Sequence, residues 1–182
     1  MSNEYKDWVE DLRNSPWDSE EHNTYLCMKY WFVMPDGYEL KTVADYTKMS
    51  DMPIGWRCAF GIEFLDELYN ALSKLSPTDR FLFTITCIKE KFGELRVYVT
   101  HSNEEIRNII DKYTKLSRTT CIQCGAPATK VTTDWISPYC DKCVPKRMNG
   151  KEWDNVSLEE YWKEWEELIN GEYVSYAGRD EK

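Results

Sequence analysis

The amino-acid sequence predicts an α+β fold, in which helices pack on a small antiparallel sheet and a cysteine-rich module is embedded in the chain. Three observations lead to this class. Apolar residues recur at helical spacing in several segments, a hairpin with alternating side chains lies near the middle, and two Cys-x-x-Cys pairs follow it. We divide the chain into an α+β body at residues 1–118, the cysteine-rich module at residues 119–148, and an acidic C-terminal helix and tail at residues 149–182.

Length and composition indicate a globular protein with one ordinary domain, or with one body and a small added module. The chain has 182 residues, of which 42% are hydrophobic and 30% are charged. No apolar run is long enough for a transmembrane helix, and the acidic N-terminus lacks the apolar segment of a secretion signal. An odd number of cysteines, seven, on a chain without such a signal predicts a reducing, cytoplasmic location.

The net charge of −9 is distributed unevenly along the chain. Both ends are acidic, whereas residues 115–151 carry seven basic side chains and only two acidic ones. A strongly acidic chain repels nucleic-acid phosphates on average. The basic segment offsets that repulsion only in part.

The N-terminal segments are predicted to be mainly helical. A helix is expected over residues 3–13, and Ser15-Pro16 is typical of the start of a second helix. Residues 25–33 are rich in aromatic side chains and fit either a helix or a strand. The turn sequence Pro35-Asp36-Gly37 indicates a hairpin that returns along residues 38–43.

The middle of the chain is predicted to contain one helix and one β-hairpin. Apolar residues at helical spacing place the helix at residues 61–75, after Gly55-Trp56-Arg57. Residues 81–88 and 95–100 are predicted strands. We expect a positive φ angle at Gly93, because the chain must reverse its direction there.

Two capping boxes mark the starts of the last two predicted helices. Ser102 and Glu105 form the first box, before a helix with a continuous apolar stripe that leads into the cysteine-rich module. Ser157 and Glu160 form the second box, before an acidic helix that is rich in tryptophan.

The cysteine motif consists of two Cys-x-x-Cys pairs separated by fifteen residues. Cys121 and Cys124 form the first pair, and Cys140 and Cys143 form the second. This spacing is typical of four thiolates that hold one structural Zn²⁺ in a zinc ribbon or knuckle, which we place at residues 119–148. Two disulfides, or four free thiols, are the alternatives.

The predicted hairpin turn is crowded with charged side chains. Lys89, Lys91 and Arg96 are interspersed with Glu90 and Glu94. Strand alternation places the two lysines on one side of the hairpin. The turn is either a solvated tip with internal ion pairs, or a patch that binds an anion or a partner.

Several of these stretches together resemble a known family. Residues 88–98 read Ile-Lys-Glu-Lys-Phe-Gly-Glu-Leu-Arg-Val-Tyr, and an isoleucine-rich helix, Ser117, the two cysteine pairs and Trp135 follow them. A Gly-Trp pair, Gly55-Trp56, precedes them. Over residues 55–143 this pattern resembles a family of small uncharacterised proteins of bacteriophages and prophages. The resemblance implies a phage or prophage origin and a structural zinc, and it implies no reaction.

The sequence favours a protein that binds rather than one that catalyses. Four cysteines close the coordination shell of a zinc ion, whereas a catalytic zinc keeps one position open. The two histidines, His22 and His101, are far apart in the sequence. The chain shows no recognisable nucleophile–base pair and no phosphate-binding glycine loop.

Two classes of function are consistent with these features. The first is a non-catalytic, phage-type accessory protein that binds a host protein in the host cytoplasm and counters a host defence; the aromatic content of 14% supplies typical binding anchors. The second is a zinc ribbon that binds nucleic acid or a nucleotide through its basic residues. The candidate contacts for a partner or an anion are Lys89, Lys91, Arg96 and Trp56.

Overall fold

The structure is a computed structural model of the chain, and it describes residues 3–35, 45–133, 135–148, 151–152 and 154–172. It confirms the predicted α+β class, because helices pack around small antiparallel sheets and four cysteines cluster together. The predicted returning strand at residues 38–43 lies outside the residues that the structure describes.

The N-terminal part is helical. Helix α1 comprises Asn3–Asn14 and helix α2 comprises Glu20–Lys29. Helix α2 begins later than expected, because Ser19 caps it by accepting a hydrogen bond from the backbone N–H of His22 at 3.1 Å. The aromatic segment that fitted either a helix or a strand is the end of α2, followed by a 3₁₀ turn at Trp31–Val33.

The central helix begins earlier than the sequence indicated. A 3₁₀ turn at Lys48–Asp51 precedes α3, which comprises Ile54–Trp56. The chain then passes through a π-helical turn at Arg57–Gly61 into α4, which comprises Ile62–Ser73. Gly55 and its tryptophan neighbour therefore lie inside the helix rather than in front of it.

A hairpin follows the central helix. A short helix, α5 (Pro77–Leu82), occupies the first residues of the predicted strand and leads into β1 (Ile85–Lys91), which pairs with β2 (Glu94–Val99). Phe92 and Gly93 form the turn, with φ angles of 55° and 78°. Two successive left-handed residues are typical of a type I′ hairpin turn. The positive φ angle predicted at Gly93 is confirmed.

Helix α6 comprises Glu104–Arg118 and is capped by Asn103 rather than by Ser102. The side-chain oxygen of Asn103 accepts a hydrogen bond from the backbone N–H of Ile106 at 2.9 Å. Asparagine and serine are almost equally good N-caps, so the sequence alone could not decide whether the helix begins after Ser102 or after Asn103.

Two hydroxyl groups attach α6 to the hairpin. The backbone N–H of Leu95 in β2 donates to Ser117 Oγ at 2.8 Å, and Thr114 Oγ1 donates to the carbonyl oxygen of Leu95 at 3.0 Å. These bonds satisfy backbone groups of a buried residue that has no further strand beside it. Helix α6 thereby fixes the position of β2.

The sheet of the cysteine-rich module includes a strand from the segment that leads into the C-terminal helix. The remaining elements are β3 (Lys130–Thr132), β4 (Ser137–Tyr139), β5 (Arg147–Met148), β6 (Lys151–Glu152), β7 (Asn155–Ser157) and α7 (Leu158–Glu172). Strand β3 pairs with β4 on one side and with β7 on the other, whereas β5 and β6 pair with each other. Strand β7, which the sequence placed in the C-terminal segment, thus completes the sheet of the module.

One cluster of buried apolar side chains connects the helices with the hairpin. Its largest fully buried members are Trp56, Tyr30, Phe32, Phe64, Phe83, Leu26, Met49, Met52, Leu65, Leu68, Leu72 and Ile85. None of the helices in the described ranges combines the length and the apolar character needed to cross a bilayer.

We predict that Gly93→Val destabilises the fold by about 1–3 kcal/mol, because valine tolerates a left-handed backbone poorly. A Cβ atom at Gly93 would also lie 3.2 Å from Ile136 Cγ2. Chemical denaturation measures the effect. Phe92→Asn is the matched control, since asparagine accepts a positive φ angle, and we expect no such loss from the backbone there. Equal midpoints for Gly93→Val and the wild type would contradict the role of the turn.

Candidate metal centre

The structure brings together the four cysteines that the sequence predicted as metal ligands. The sulfur atoms of Cys121, Cys124, Cys140 and Cys143 all lie within 4.8 Å of one another. The sulfurs of Cys124 and Cys140 are 3.7 Å apart, which is far longer than the disulfide bond length of about 2.05 Å. All four are free thiols, so the two-disulfide alternative is not what the structure contains. This donor set fits a metal ion.

Two tight turns direct the sulfurs towards each other. In the first, the N–H of Gly125 donates to the carbonyl oxygen of Cys121 at 2.9 Å, and Gly125 has a φ angle of 78°. In the second, the N–H groups of Cys143 and Val144 both donate to the carbonyl oxygen of Cys140 at 3.0 Å. The left-handed residue explains why a glycine directly follows the first cysteine pair.

The thiols influence each other's protonation. Burial raises the pKa of Cys140, but hydrogen bonds from the backbone N–H groups of Cys143 and Lys142 outweigh it and lower that pKa to about 7. Hydrogen bonds shared with Cys124 and Cys140 raise the pKa of Cys143 to about 12. Four neighbouring thiols cannot all ionise at neutral pH, because their negative charges would repel each other. A bound cation would be needed to keep the cluster fully deprotonated.

The first cysteine turn is hydrogen-bonded to the start of the central helix. The N–H of Gly55 in α3 donates to the carbonyl oxygen of Ile122 at 3.0 Å. The indole N–H of Trp56 donates to the carbonyl oxygen of Thr120 at 2.9 Å. Trp56 is fully buried, so the interpretation of this residue as a partner contact is wrong. Its role is to join the module to the core.

Two glycines make this contact possible. A Cβ atom at Gly55 would overlap the carbonyl oxygen of Cys121, and one at Gly125 would lie 2.6 Å from the carbonyl oxygen of Gly55. Backbone therefore packs directly against backbone at this point. Any larger residue at either position would push the cysteine turn away from the helix.

The two hairpin lysines are exposed and lie on one side, as strand alternation predicted. Lys89 Nζ is 5.3 Å from the centre of the Tyr98 ring, and Lys91 Nζ is 5.4 Å from the centre of the Phe92 ring. Neither lysine forms an ion pair with any residue in the described part of the chain. Both ammonium groups lie on the exposed surface of the hairpin, each near an aromatic ring.

Arg96 differs from the lysines because it has a structural partner. Its guanidinium pairs with Glu94, whose side chain is only 3% exposed. Glu94 also pairs with Arg118, and the Arg118 guanidinium lies 4.9 Å from the centre of the Trp162 ring. Two arginines compensate the charge of one buried carboxylate, and this arrangement connects β2, α6 and α7.

A groove that the sequence did not predict lies beside the hairpin turn. The groove has a volume of about 340 Å³ and is lined by Glu90, Lys91, Phe92, Trp135 and Ile136. Trp135 is 63% exposed and Phe92 is 51% exposed. Phe92 could have been identified from the sequence as an unusual turn residue, since type I′ turns favour asparagine, aspartate or glycine at the position directly before the turn glycine.

The two histidines are in separate environments and are not part of the cysteine cluster. His22 is 2% exposed and packs on Trp17 with ring centres 4.4 Å apart; burial lowers its pKa. Next to it, Asp18 pairs with the buried Arg57 at 2.6 Å. His101 is exposed, with Nδ1 3.0 Å from the carbonyl oxygen of Leu82.

Comparison of the chain with protein-family models, with curated proteins and with solved structures gave no match.

We predict that Gly55→Ala destabilises the protein by about 1–3 kcal/mol and weakens metal binding. The sign is the opposite of the usual gain from replacing a helical glycine, because the new methyl group would meet the backbone of the cysteine turn. Denaturant unfolding and metal competition with a chelator measure the two effects.

Gly61→Ala is the matched control for this prediction. Gly61 is also helical, but its Cβ atom would meet the side chain of Trp17 at 3.0 Å rather than the backbone of the cysteine turn. Metal affinity should stay at the wild-type value in this variant. Unchanged metal affinity in Gly55→Ala would show that docking of the turn on α3 does not support the site.

Proposed function

We propose that Cys121, Cys124, Cys140 and Cys143 bind one Zn²⁺ with a structural role. The observation that carries this proposal is the closed set of four sulfurs on turns that are attached to the core. A tetrahedral zinc with Zn–S distances of about 2.3 Å has sulfurs about 3.8 Å apart, and the observed Cys124–Cys140 distance is 3.7 Å. Four thiolates favour zinc over the hard cations magnesium and calcium.

We further propose that the protein is a non-catalytic binding protein. A zinc ion that is held by four thiolates has no open position at which it could activate water. The function of such a centre is to hold its two turns in place, and here the first turn is attached to α3 through Gly55 and Trp56. The centre then supports a rigid surface on which binding residues are displayed.

The partner that we propose is a host protein. The resemblance of residues 55–143 to phage and prophage proteins supports a phage-type accessory role in the host cytoplasm, directed against a host defence. The exposed aromatic side chains of Phe92 and Trp135 support protein binding, since aromatic residues are common anchors in protein interfaces. The net charge of −9 disfavours non-specific contact with phosphates.

Binding of nucleic acid or a nucleotide is the second candidate function. The observation that favours it is the placement of Lys89 and Lys91 beside exposed aromatic rings, since proteins that bind single strands combine cations with stacking platforms. Titration of a labelled single-stranded oligonucleotide at increasing salt separates the two. Tight binding that falls steeply with salt would favour this second function.

We predict that purified protein contains one zinc per chain, and that Cys124→Ser combined with Cys140→Ser abolishes zinc binding and unfolds the module. Formation of a structural zinc site is coupled to folding, with apparent binding free energies on the order of 10 kcal/mol in small zinc peptides. Elemental analysis and circular dichroism measure the two effects. Cys58→Ser is the matched control, because Cys58 is an exposed thiol outside the cluster. A folded double variant would refute the structural role.

We predict that Lys89→Glu combined with Lys91→Glu weakens partner capture from host lysate about tenfold, since both lysines are exposed and neither pairs with a carboxylate that the structure describes. Arg96 is left unchanged, because a glutamate there would face the buried Glu94 and disturb the fold. Quantitative mass spectrometry after affinity capture gives the measurement.

The control for the lysine variant is Lys74→Glu combined with Lys115→Glu. It changes the net charge equally, and it removes only surface ion pairs, which contribute little to stability. We expect this control to capture the partner as the wild type does. Equal capture by all three proteins would exclude the hairpin lysines from the interface.

A further inference from the structure

Two β-turns lie side by side on the surface of the protein. The β1–β2 turn contains Phe92 and Gly93, and the connection between β3 and β4 contains Trp135 and Ile136. The turns are in close contact, because a Cβ atom at Gly93 would lie only 3.2 Å from Ile136 Cγ2. The groove of about 340 Å³ lies between them, and each turn contributes one exposed aromatic side chain to it.

Phe92 occupies a position that stability alone does not explain. Its φ angle of 55° is one that asparagine and glycine adopt more easily than phenylalanine. The side chain gains only part of the usual benefit of burial, since it packs on Trp165 with ring centres 6.4 Å apart but stays 51% exposed. A strained residue at a surface turn is a common feature of binding sites.

The charges at the groove define the chemistry of its ligand. Lys91 lines the groove and Lys89 lies two residues further along the same face, and neither forms an ion pair within the described ranges. The carboxylate of Glu90 already accepts a hydrogen bond from the N–H of Gly93 at 2.7 Å. The groove therefore offers an apolar space with the ammonium groups of Lys91 and Lys89 at its edge.

We propose that this groove binds a short acidic segment of a partner protein, which inserts one aromatic or large aliphatic side chain between Phe92 and Trp135. An acidic residue beside that anchor pairs with Lys91 or Lys89, so the two surfaces are complementary in both shape and charge. This proposal rests on the proposed protein-binding function and names the class of partner segment.

A nucleic acid fits the same surface less well. A continuous strand needs several cations along its path, whereas Arg96 is committed to Glu94 and the hairpin adds only Lys89 and Lys91.

The test uses a displayed library of random peptides, selected on the full-length, zinc-loaded protein. The comparison bait is the double variant Phe92→Asn with Trp135→Ser, in which the turn keeps a residue that tolerates a positive φ angle. The proposal expects enriched peptides with an acidic residue next to an aromatic or large aliphatic one. It also expects these peptides to bind the double variant at least about tenfold more weakly.

Two further measurements make the result decisive. The surface control is Phe81→Ser, since Phe81 is 85% exposed on α5 and does not line the groove, and it should bind the peptides as the wild type does. Unfolding midpoints check that the double variant is folded. Enrichment of basic peptides, or of peptides that bind the double variant equally well, would overturn the proposal. Binding of labelled oligothymidylate that is lost in the double variant would overturn it in favour of nucleic acid.

Different results would contradict the proposed function and the proposed binding site in the groove. If affinity capture from host lysate yields a protein that the double variant captures equally well, the chain is a protein binder but the groove is not its site. If no protein is captured by either bait, the proposed function itself fails. A partner that is lost only with the double variant supports both.

Discussion

The close approach of the first cysteine turn to the start of α3 is the contact on which the rest of the structure depends. Gly55 and Gly125 allow two backbones to touch, and the indole N–H of Trp56 closes the contact by donating to Thr120 at 2.9 Å. If the turn made no contact with the rest of the protein, a metal bound to its cysteines would stabilise only the turn. Here the first cysteine turn is hydrogen-bonded to the start of the central helix, so a metal bound at the four cysteines would couple its binding to folding of the body through this contact.

The second cysteine turn has a comparable effect on the surface. It follows β4 directly, and the connection between β3 and β4 supports the hairpin turn through the contact between Ile136 and Gly93. The buried carboxylate of Glu94 holds the other side of the hairpin, because it pairs with arginines from β2 and α6. The cysteine cluster and the turn that displays Phe92 are thus linked through the connection between β3 and β4.

Local patterns in the sequence predicted the elements of this structure more reliably than their contacts. The paired cysteine spacing and the turn glycine each depend on a few neighbouring residues, and the structure confirms the clustering of the four cysteines and the positive φ angle at Gly93. Trp56 was misinterpreted because its burial depends on Thr120, which lies far along the chain. The role of Arg96 depends in the same way on Arg118, with which it shares one carboxylate. Contacts between distant residues leave no periodic signal in a single sequence. The contact of the first cysteine turn with Gly55 and Trp56 could therefore not be predicted.

Most of the residues that the sequence motifs at residues 55–143 single out have a structural explanation. Gly55 and Trp56 dock the cysteine turn, Gly93 forms the hairpin turn, and Ser117 bonds to the backbone of β2. Trp135 has no comparable explanation, since 63% of its surface is in contact with solvent. A single exposed ring is ordinary, but Trp135 lines the same groove as Phe92, and contiguous exposed apolar side chains are more often part of an interaction site. The same reasoning applies to Phe92, whose strained backbone disfavours the residue that is found there. The sequence motifs therefore contain two kinds of residue. Most of them build the fold, whereas Phe92 and Trp135 are exposed on adjoining turns.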